Sequence, residues 1–423
     1  MHKKILALAA VPFLVLSFIP LVHADSSHSD DQIVSKDRDA YERMHLGTRF
    51  NIQFQPHKDV CDIGPGAHCD SRVITDLKGA PRAAQVVPLG LSPAQLLKAY
   101  NLTGTTSGRH IIAIVDAYDH PSIASDLATY NAMYHLPALP TCSGAIAQSA
   151  TPCFKKVNQT GAASPLPATN AAWAFEIALD VEIAHAMCQN CSILLVEANS
   201  NSFADLASAV NQAVALGANE VSNSYGGAEF AGETSLDNSY LHAGVAIVAS
   251  AGDAGYGVEY PAASRYVTAV GGTSLFLNPD NTYNQEIAWS GTGSGCSAYE
   301  QKPNLQADTG CANRMVVDVS AVADPNTGAA IYDSVRYNGS RGWFQAGGTS
   351  LAAPIIAATY ALSNYVPLYT LENLLPYYMN PGANFRDVVN GSNGTCTTAY
   401  FCVAGVGYDG PTGLGTPKGA GAF

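Results

Sequence analysis

Two carboxylates four residues apart raise the question of chemistry. Glu176 and Asp180 lie in the run Trp173–His185, where most other residues are apolar. At helical spacing they share one face, while Glu182 and His185 fall on another. Neighbouring carboxylates raise each other's pKa and tend to share a proton, which suits acid–base work. Acids four apart also occur on many exposed helices, so the pair gains meaning only from what accompanies it.

Three further segments could accompany it. In Gly347-Gly348-Thr349-Ser350-Leu351-Ala352-Ala353-Pro354, a glycine-rich approach leads into a helix and places Ser350 near its N-terminus. There the main-chain N–H groups and the helix dipole favour developing negative charge, as a nucleophilic serine with an oxyanion hole requires. An ordinary Ser/Thr cap reads the same way locally. In Ala249–Gly255 a strand ends in a glycine-flanked acid, Asp253. It is either a turn former or a catalytic group held at a strand end. Near the C-terminus, Asp387 and Val388 are followed by Gly405, Gly407 and Asp409 in a glycine-rich run that ends at Gly415. Carboxylates and glycine-exposed carbonyls are hard oxygen ligands that suit Ca²⁺, although the spacing is not that of an EF-hand and a plain Gly/Asp turn is the alternative.

These residues must be held by an α/β framework. Short β-rich runs recur at His110–Asp116, Ile193–Glu197, Glu220–Ser224, Val245–Ser250 and Tyr266–Val270. Helical patterns separate most of them, at Ile123–Tyr134, Ala171–Met187 and Phe203–Leu216. The alternation predicts a mostly parallel sheet with helices on both faces, whose chemistry gathers outside the carboxyl ends of the strands. Another helix starts at Ser92-Pro93, with the serine as cap.

The chain has 423 residues, of which 47% are hydrophobic and only 13% charged. That excludes a disordered or coiled-coil protein. A formal charge of −13 argues against binding to nucleic acid or anionic lipid. Residues 1–24 read as a secretory signal: Lys3 and Lys4, an apolar run, then Val22-His23-Ala24. The ten cysteines fall in order into five close pairs, as expected of disulfides in a secreted chain. Zinc held by His185, Cys188 and Cys191 is the alternative for one of these pairs. Residues 25–90, richer in charge and histidine, read as a mobile extension or a propeptide, with a short helix at 33–44. The domain plan is a signal at 1–24, a propeptide at 25–90 and one α/β domain at 91–423, whose candidate calcium segment covers about 385–415.

Taken in order, Glu-x-x-x-Asp, Gly-Asp-x-Gly, Gly-Thr-Ser-x-x-x-Pro and the Gly-x-Gly-x-Asp ending resemble the sedolisin family of serine-carboxyl peptidases, secreted relatives of the subtilisins. Ser222–Gly226 and the stretch from Tyr260 to Ser274 are also similar to family segments, and the resemblance runs from about residue 92 to the C-terminus. It implies a subtilisin-like three-layer α/β sandwich with the Ser350 helix in the core. It implies Ser350 as nucleophile, Glu176 as general base, Asp180 orienting and tuning Glu176, and Asp253 donating to the oxyanion while protonated. Ser224, Tyr225 and Gly226 would line the cleft and pair with a peptide as an added strand. One structural Ca²⁺ would take Asp387, Val388, Gly405, Gly407 and Asp409. The expected protein is a secreted monomer, free of the membrane once its signal is removed, that acts on proteins or peptides in acid and has its own propeptide as a possible inhibitor.

The chain departs from the family pattern in three places. Gly347 replaces a serine, the region before the domain is short, and Asp116 sits where subtilisins carry their triad aspartate. Asp116 is structural or acts as a third acid on Glu176 and Asp180. Two other readings follow. One is a subtilisin-like peptidase that uses Asp116 near neutral pH, with His185 as the only helical candidate for its base. The other is a non-catalytic binding protein on a peptidase scaffold.

Overall fold

A computed structural model describes residues 54–363, 372–379 and 381–423, together with residues 38, 41–44, 46 and 50. The expected leader at 1–24 lies outside the described residues, as does most of the expected helix at 33–44.

Continuous aliphatic runs build the central sheet. Ile111–Ala117, Ser192–Ala198 and Ala246–Ser250 are buried at every position, as parallel strands covered on both faces must be. The strands lie in the order Tyr283–Ala288, Thr268–Leu277, Ala246–Ser250, Glu220–Asn223, Ile111–Ala117, Ser192–Ala198, Phe154–Asn158, and Val319–Val322 also pairs with Thr268–Leu277. Every pairing is parallel except that between Thr268–Leu277 and Tyr283–Ala288. The protein is therefore α/β with a mostly parallel central sheet, as the alternation of runs predicts.

The helices fall close to their expected bounds, at Ile123–Tyr134, Ala171–Met187 and Phe203–Ala215. Asn170 starts the second of these, its side chain accepting from the N–H groups of Ala172 and Trp173. Trp173 to Met187 are all buried, and so are Thr349 to Leu362 in the helix Thr349–Ser363. A helix that is apolar all round belongs in a core. These two helices pack on each other, and the second also crosses the strands Glu220–Asn223, Ala246–Ser250 and Val319–Val322.

Sequence patterning gave no strands before residue 91, yet the structure has several. His57–Asp59 and Arg72–Ile74 join an antiparallel sheet with Ser340–Gly347 and Ala329–Tyr337, and Ala83–Ala84 pairs with Ser340–Gly347. His68–Cys69 pairs with Tyr225–Ala228, which also pairs with Glu259–Tyr260. From His57 onward the expected propeptide is thus built into the sheets of the domain instead of trailing from it. Two-residue strands carry too little periodicity to be read in advance.

The ten cysteines form disulfides 61–69, 142–153, 188–191, 296–311 and 396–402. The zinc alternative fails: Cys188 is bonded to Cys191, and His185 Nε2 lies 3.0 Å from the carbonyl of Pro137. Among the described residues, no helix is long and apolar enough to cross a membrane.

Candidate active site

Ser350 is the second residue of the helix Thr349–Ser363 and is fully buried. The chain reaches it through Gly348, whose φ of +96° favours glycine. A Cβ on Gly348 would lie 2.1 Å from the Asp70 carbonyl oxygen and 2.5 Å from Asp253 Oδ2. Gly347 is equally constrained, since a Cβ there would lie 2.3 Å from the Ala323 carbonyl oxygen. This chain therefore has no room for the serine that the family pattern carries at that position.

Pro354 explains a contact across the site. It has no N–H, so the Ser350 carbonyl four residues earlier loses its helical donor. The Ser224 hydroxyl takes that role, donating to the Ser350 carbonyl at 3.5 Å. In return, Ser350 Oγ donates to the Ser224 carbonyl at 3.2 Å.

Glu176 and Asp180 reach the site from one face of their helix, both fully buried. Their carboxylate oxygens and those of Asp116 complete no hydrogen bond of normal geometry among the described residues. Burial pushes the Glu176 pKa well up and the Asp116 charge adds to this, while the nearby hydroxyls of Ser71 and Ser350 pull it back. Asp180 is raised in the same way, by burial, then Asp116, then Glu176. Asp116, at the end of its strand, is itself raised by burial and by Glu197, its partner across the parallel pair. Asp116 thus acts on both acids of the pair. His185 Nε2 lies against the Pro137 carbonyl and burial lowers its pKa, and among the described residues no histidine hydrogen-bonds to Ser350.

Asp253 sits just past the strand Ala246–Ser250. Its Oδ1 accepts from the N–H of Thr349 at 2.7 Å and from that residue's hydroxyl at 2.9 Å. Among the described residues its Oδ2 has no hydrogen-bond partner, and it lies close against Gly348, as the Asp70 carbonyl oxygen does. Burial raises its pKa to about 7, against the opposing pull of Arg72 and of the Thr349 N–H. The Ser350 N–H donates to the same Asp70 carbonyl oxygen at 2.9 Å.

The segment holding Asp70 was not singled out from sequence. It runs through the cleft, with Cys69 paired to Tyr225 and His68 to Gly226. The strand that lies beside Tyr225 and Gly226 is thus one of this chain's own. Beyond Asp70, Arg72 pairs with Gly347, and its Nε lies 3.8 Å from Asp253 Oδ2. The only signal in the sequence was the close cysteine pair 61 and 69.

The C-terminal residues also converge. Asp409 Oδ2 accepts from the Gly405 N–H at 2.9 Å, and Asp387 Oδ2 accepts from the Gly407 N–H at 2.8 Å. Asp409 Oδ1 accepts from the N–H and hydroxyl of Thr412. Burial raises Asp409 to about 7, and Asp387 contributes in the same direction. Among the described residues, the carbonyls of Val388, Gly405 and Gly407 accept no main-chain hydrogen bond.

The profile of the subtilase family matches residues 142–380, more than half of the chain. Kumamolisin of Bacillus sp. (strain MN-32) is 29% identical over 80% of this chain and 64% of its own length. Sedolisin of Pseudomonas sp. (strain 101) is 34% identical over 38% of this chain and 29% of its own length. A solved structure of Pseudomonas sedolisin, complexed with two molecules of pseudo-iodotyrostatin, superposes with a TM-score of 0.64 at 25% identity, covering 79% of this chain and 97% of that one. The chain belongs to the subtilase family and has the subtilisin-like fold. Its similarity runs to the sedolisins named above, and the chain spans less than two thirds of the length of either curated relative.

Proposed function

We propose that the protein is a secreted serine-carboxyl endopeptidase that hydrolyses peptide bonds in acid. Ser350 Oγ attacks the scissile carbonyl, and Glu176 takes its proton. Asp180 holds and tunes Glu176. Asp253, protonated below its pKa of about 7, donates from Oδ2 to the oxyanion beside the Ser350 N–H. Ser224, Tyr225 and Gly226 hold the substrate as an added strand. One observation carries this reading: the Ser350 N–H donates to a peptide carbonyl, that of Asp70, and Asp253 Oδ2 and that carbonyl oxygen both lie close against Gly348.

The acid range follows from the chemistry of the base. An imidazole with a pKa of about 6.5 is protonated in acid and cannot accept the serine proton, whereas a carboxylate can. Crowded carboxylates release their protons one at a time, so the Glu176–Asp180–Asp116 group can offer one ionised oxygen while it still holds other protons. The Asp116–His185 alternative loses support, because its only helical base lies against Pro137.

The C-terminal donor set fits a hard cation. Two carboxylates flank one loop, beside carbonyls of Val388, Gly405 and Gly407 that take no main-chain partner among the described residues. Ca²⁺ held by Asp387, Val388, Gly405, Gly407 and Asp409 would neutralise the carboxylates and fix the loop. Its role is structural, and it takes no part in the reaction. A single chain acting on unfolded protein or peptide substrates completes the proposal.

The test is hydrolysis of an unfolded protein by Ser350→Ala. Loss of activity at every pH is expected, and full activity in that variant overturns the reading.

A further inference from the structure

We propose that a cavity at the amino ends of the central strands binds a small organic anion in acid, held by Arg109 and His110. The site lies apart from Ser350, and the inference does not depend on the peptidase reading.

Three neighbouring strands start around this cavity. Ile111 and Ser192 are the first residues of Ile111–Ala117 and Ser192–Ala198, His110 directly precedes the first of these, and Asn219 directly precedes Glu220–Asn223; all four residues line the cavity. Asp116 is at the far end of Ile111–Ala117. At the rise of a strand, that is roughly 20 Å from His110. The cavity holds about 430 Å³, a size that suits a small organic molecule better than a bare ion. Two disulfide-closed loops wall it: Ala147 and Pro152 lie between Cys142 and Cys153, and Asn190 lies between Cys188 and Cys191. The walls are thus set before a ligand arrives, which lowers the ordering cost of binding.

Donors meet here without an opposing carboxylate. Among the described residues that line the cavity, Arg109 and His110 are the only titratable or charged ones. Arg109 Nη2 donates to the Ala147 carbonyl at 2.9 Å, which anchors the guanidinium and leaves its other N–H groups as donors. Asn219 Oδ1 accepts from the Ile111 N–H at 3.0 Å, so its amide N–H groups are left as donors too. His110 is 8% exposed, and its Nδ1 lies 2.7 Å from Glu220 Oε1. Its Nε2 makes no hydrogen bond among the described residues. In a chain of formal charge −13, a cavity lined by two cationic side chains and no acid selects for anions. Ile111, Ala147 and Pro152 add apolar wall, so the ligand carries its anionic head on a partly apolar body. Carboxylates and phosphate esters share that chemistry.

Glu220 makes the site respond to pH. Burial lowers the His110 pKa, but the hydrogen bond and charge of Glu220 outweigh it, and the imidazole holds its proton above the usual range. Burial raises Glu220 against the pull of His110. Among the described residues, no other ionisable group acts on either. As pH falls, a proton enters Glu220 at Oε2, the oxygen without a partner, while Oε1 still accepts from His110. The pair then passes from neutral to one net positive charge. Anion binding strengthens in acid and weakens as pH rises.

The full chain would be titrated by calorimetry with benzenesulfonate, an anion of constant charge, at about pH 4 and about pH 8, on either side of the ordinary imidazole value. One saturable site is expected at the lower pH. Its Kd should be at least about tenfold lower than at the higher pH, tenfold being the worth of one charge-assisted hydrogen bond. It should be lower than that of inorganic sulfate as well. Arg109→Gln and His110→Gln should each weaken binding about tenfold in acid. Arg109 is exposed, so its variant serves if His110→Gln does not fold. Glu220→Gln leaves an uncharged acceptor for His110 and should keep the acid binding. Benzoate and phenyl phosphate, compared at about pH 5 where both heads carry charge, identify the head group by which binds more tightly. Equal affinity at both pH values, an Arg109→Gln variant that binds as the wild type does, or no saturable binding in acid overturns the site. Sulfate bound as tightly as benzenesulfonate contradicts an organic ligand.

Discussion

Glu176 can act as a base in acid only if its neighbours settle how many protons the group holds. Burial raises both Glu176 and Asp180, and Asp116 raises them further where it is ionised. Asp116 is itself raised by burial, so Asp116→Asn should lower the pH at which Glu176 ionises only in the range where Asp116 carries charge, and a kcat/KM profile unmoved at every pH would assign Asp116 a purely structural role. Asp253 sets the other limb. It donates while protonated, so activity should fall as pH rises through about 7. An asparagine fits the same contacts, with its carbonyl taking the Thr349 donors and its amide facing the oxyanion. Asp253→Asn should therefore retain activity above pH 7, whereas Asp253→Ala should lose about 10²–10³-fold in kcat, as removal of an oxyanion donor does. Matching alkaline limbs in wild type and Asp253→Asn would remove Asp253 from that role. The sequence revealed these residue types and their order. It could not reveal Asp70, Ser71 or Arg72, because nothing local marks a residue whose importance comes from crossing a cleft.

At the scale of elements, the buried helices were the most legible, because their length and largely apolar composition leave one reading. The glycine approach to Ser350 is tighter than sequence suggested. Gly348→Ala would place its Cβ 2.1 Å from the carbonyl bound in the site and force a φ of +96° on a residue that resists it. Hydrolysis should be abolished while the fold survives, and a normal kcat with a normal melting temperature would show that the peptide carbonyl binds elsewhere. The C-terminal loop gives an independent prediction. Ca²⁺ at about 100 times its Kd stabilises a folded protein by about 2.7 kcal/mol. A chelator should lower Tm by several degrees in the wild type and not in Asp409→Asn; equal melting curves with and without chelator contradict the site.

At the scale of the whole molecule, buried acids dominate the response to pH. Glu197, Glu233 and Glu300 are raised to about 8 by burial, and Asp253 to about 7. Between the ordinary carboxylate range near 4 and these values, the folded chain holds protons that the unfolded chain has released. Stability should therefore be greatest in acid and decline as pH rises from about 4 to 8. His57, lowered to about 3 by burial, opposes this below its ordinary value, as do His185 and His242, also lowered by burial, but they are few against the raised carboxylates. A Tm that rises from pH 4 to 8 would contradict the burial of these carboxylates. The parallel sheet and its chemistry at the strand ends were legible from the alternation of runs, and the integration of residues 57–84 was not. Short strands acquire their register from partners more than a hundred residues away, such as Gly226 and Gly347. The most direct test of the central claim is the pH profile of hydrolysis of an unfolded protein from about pH 2 to 9, a range spanning the carboxylate and imidazole titrations, with Ser350→Ala and Glu176→Gln measured alongside. The account predicts a maximum in acid that both variants abolish. A maximum above pH 7 that survives Glu176→Gln would contradict it.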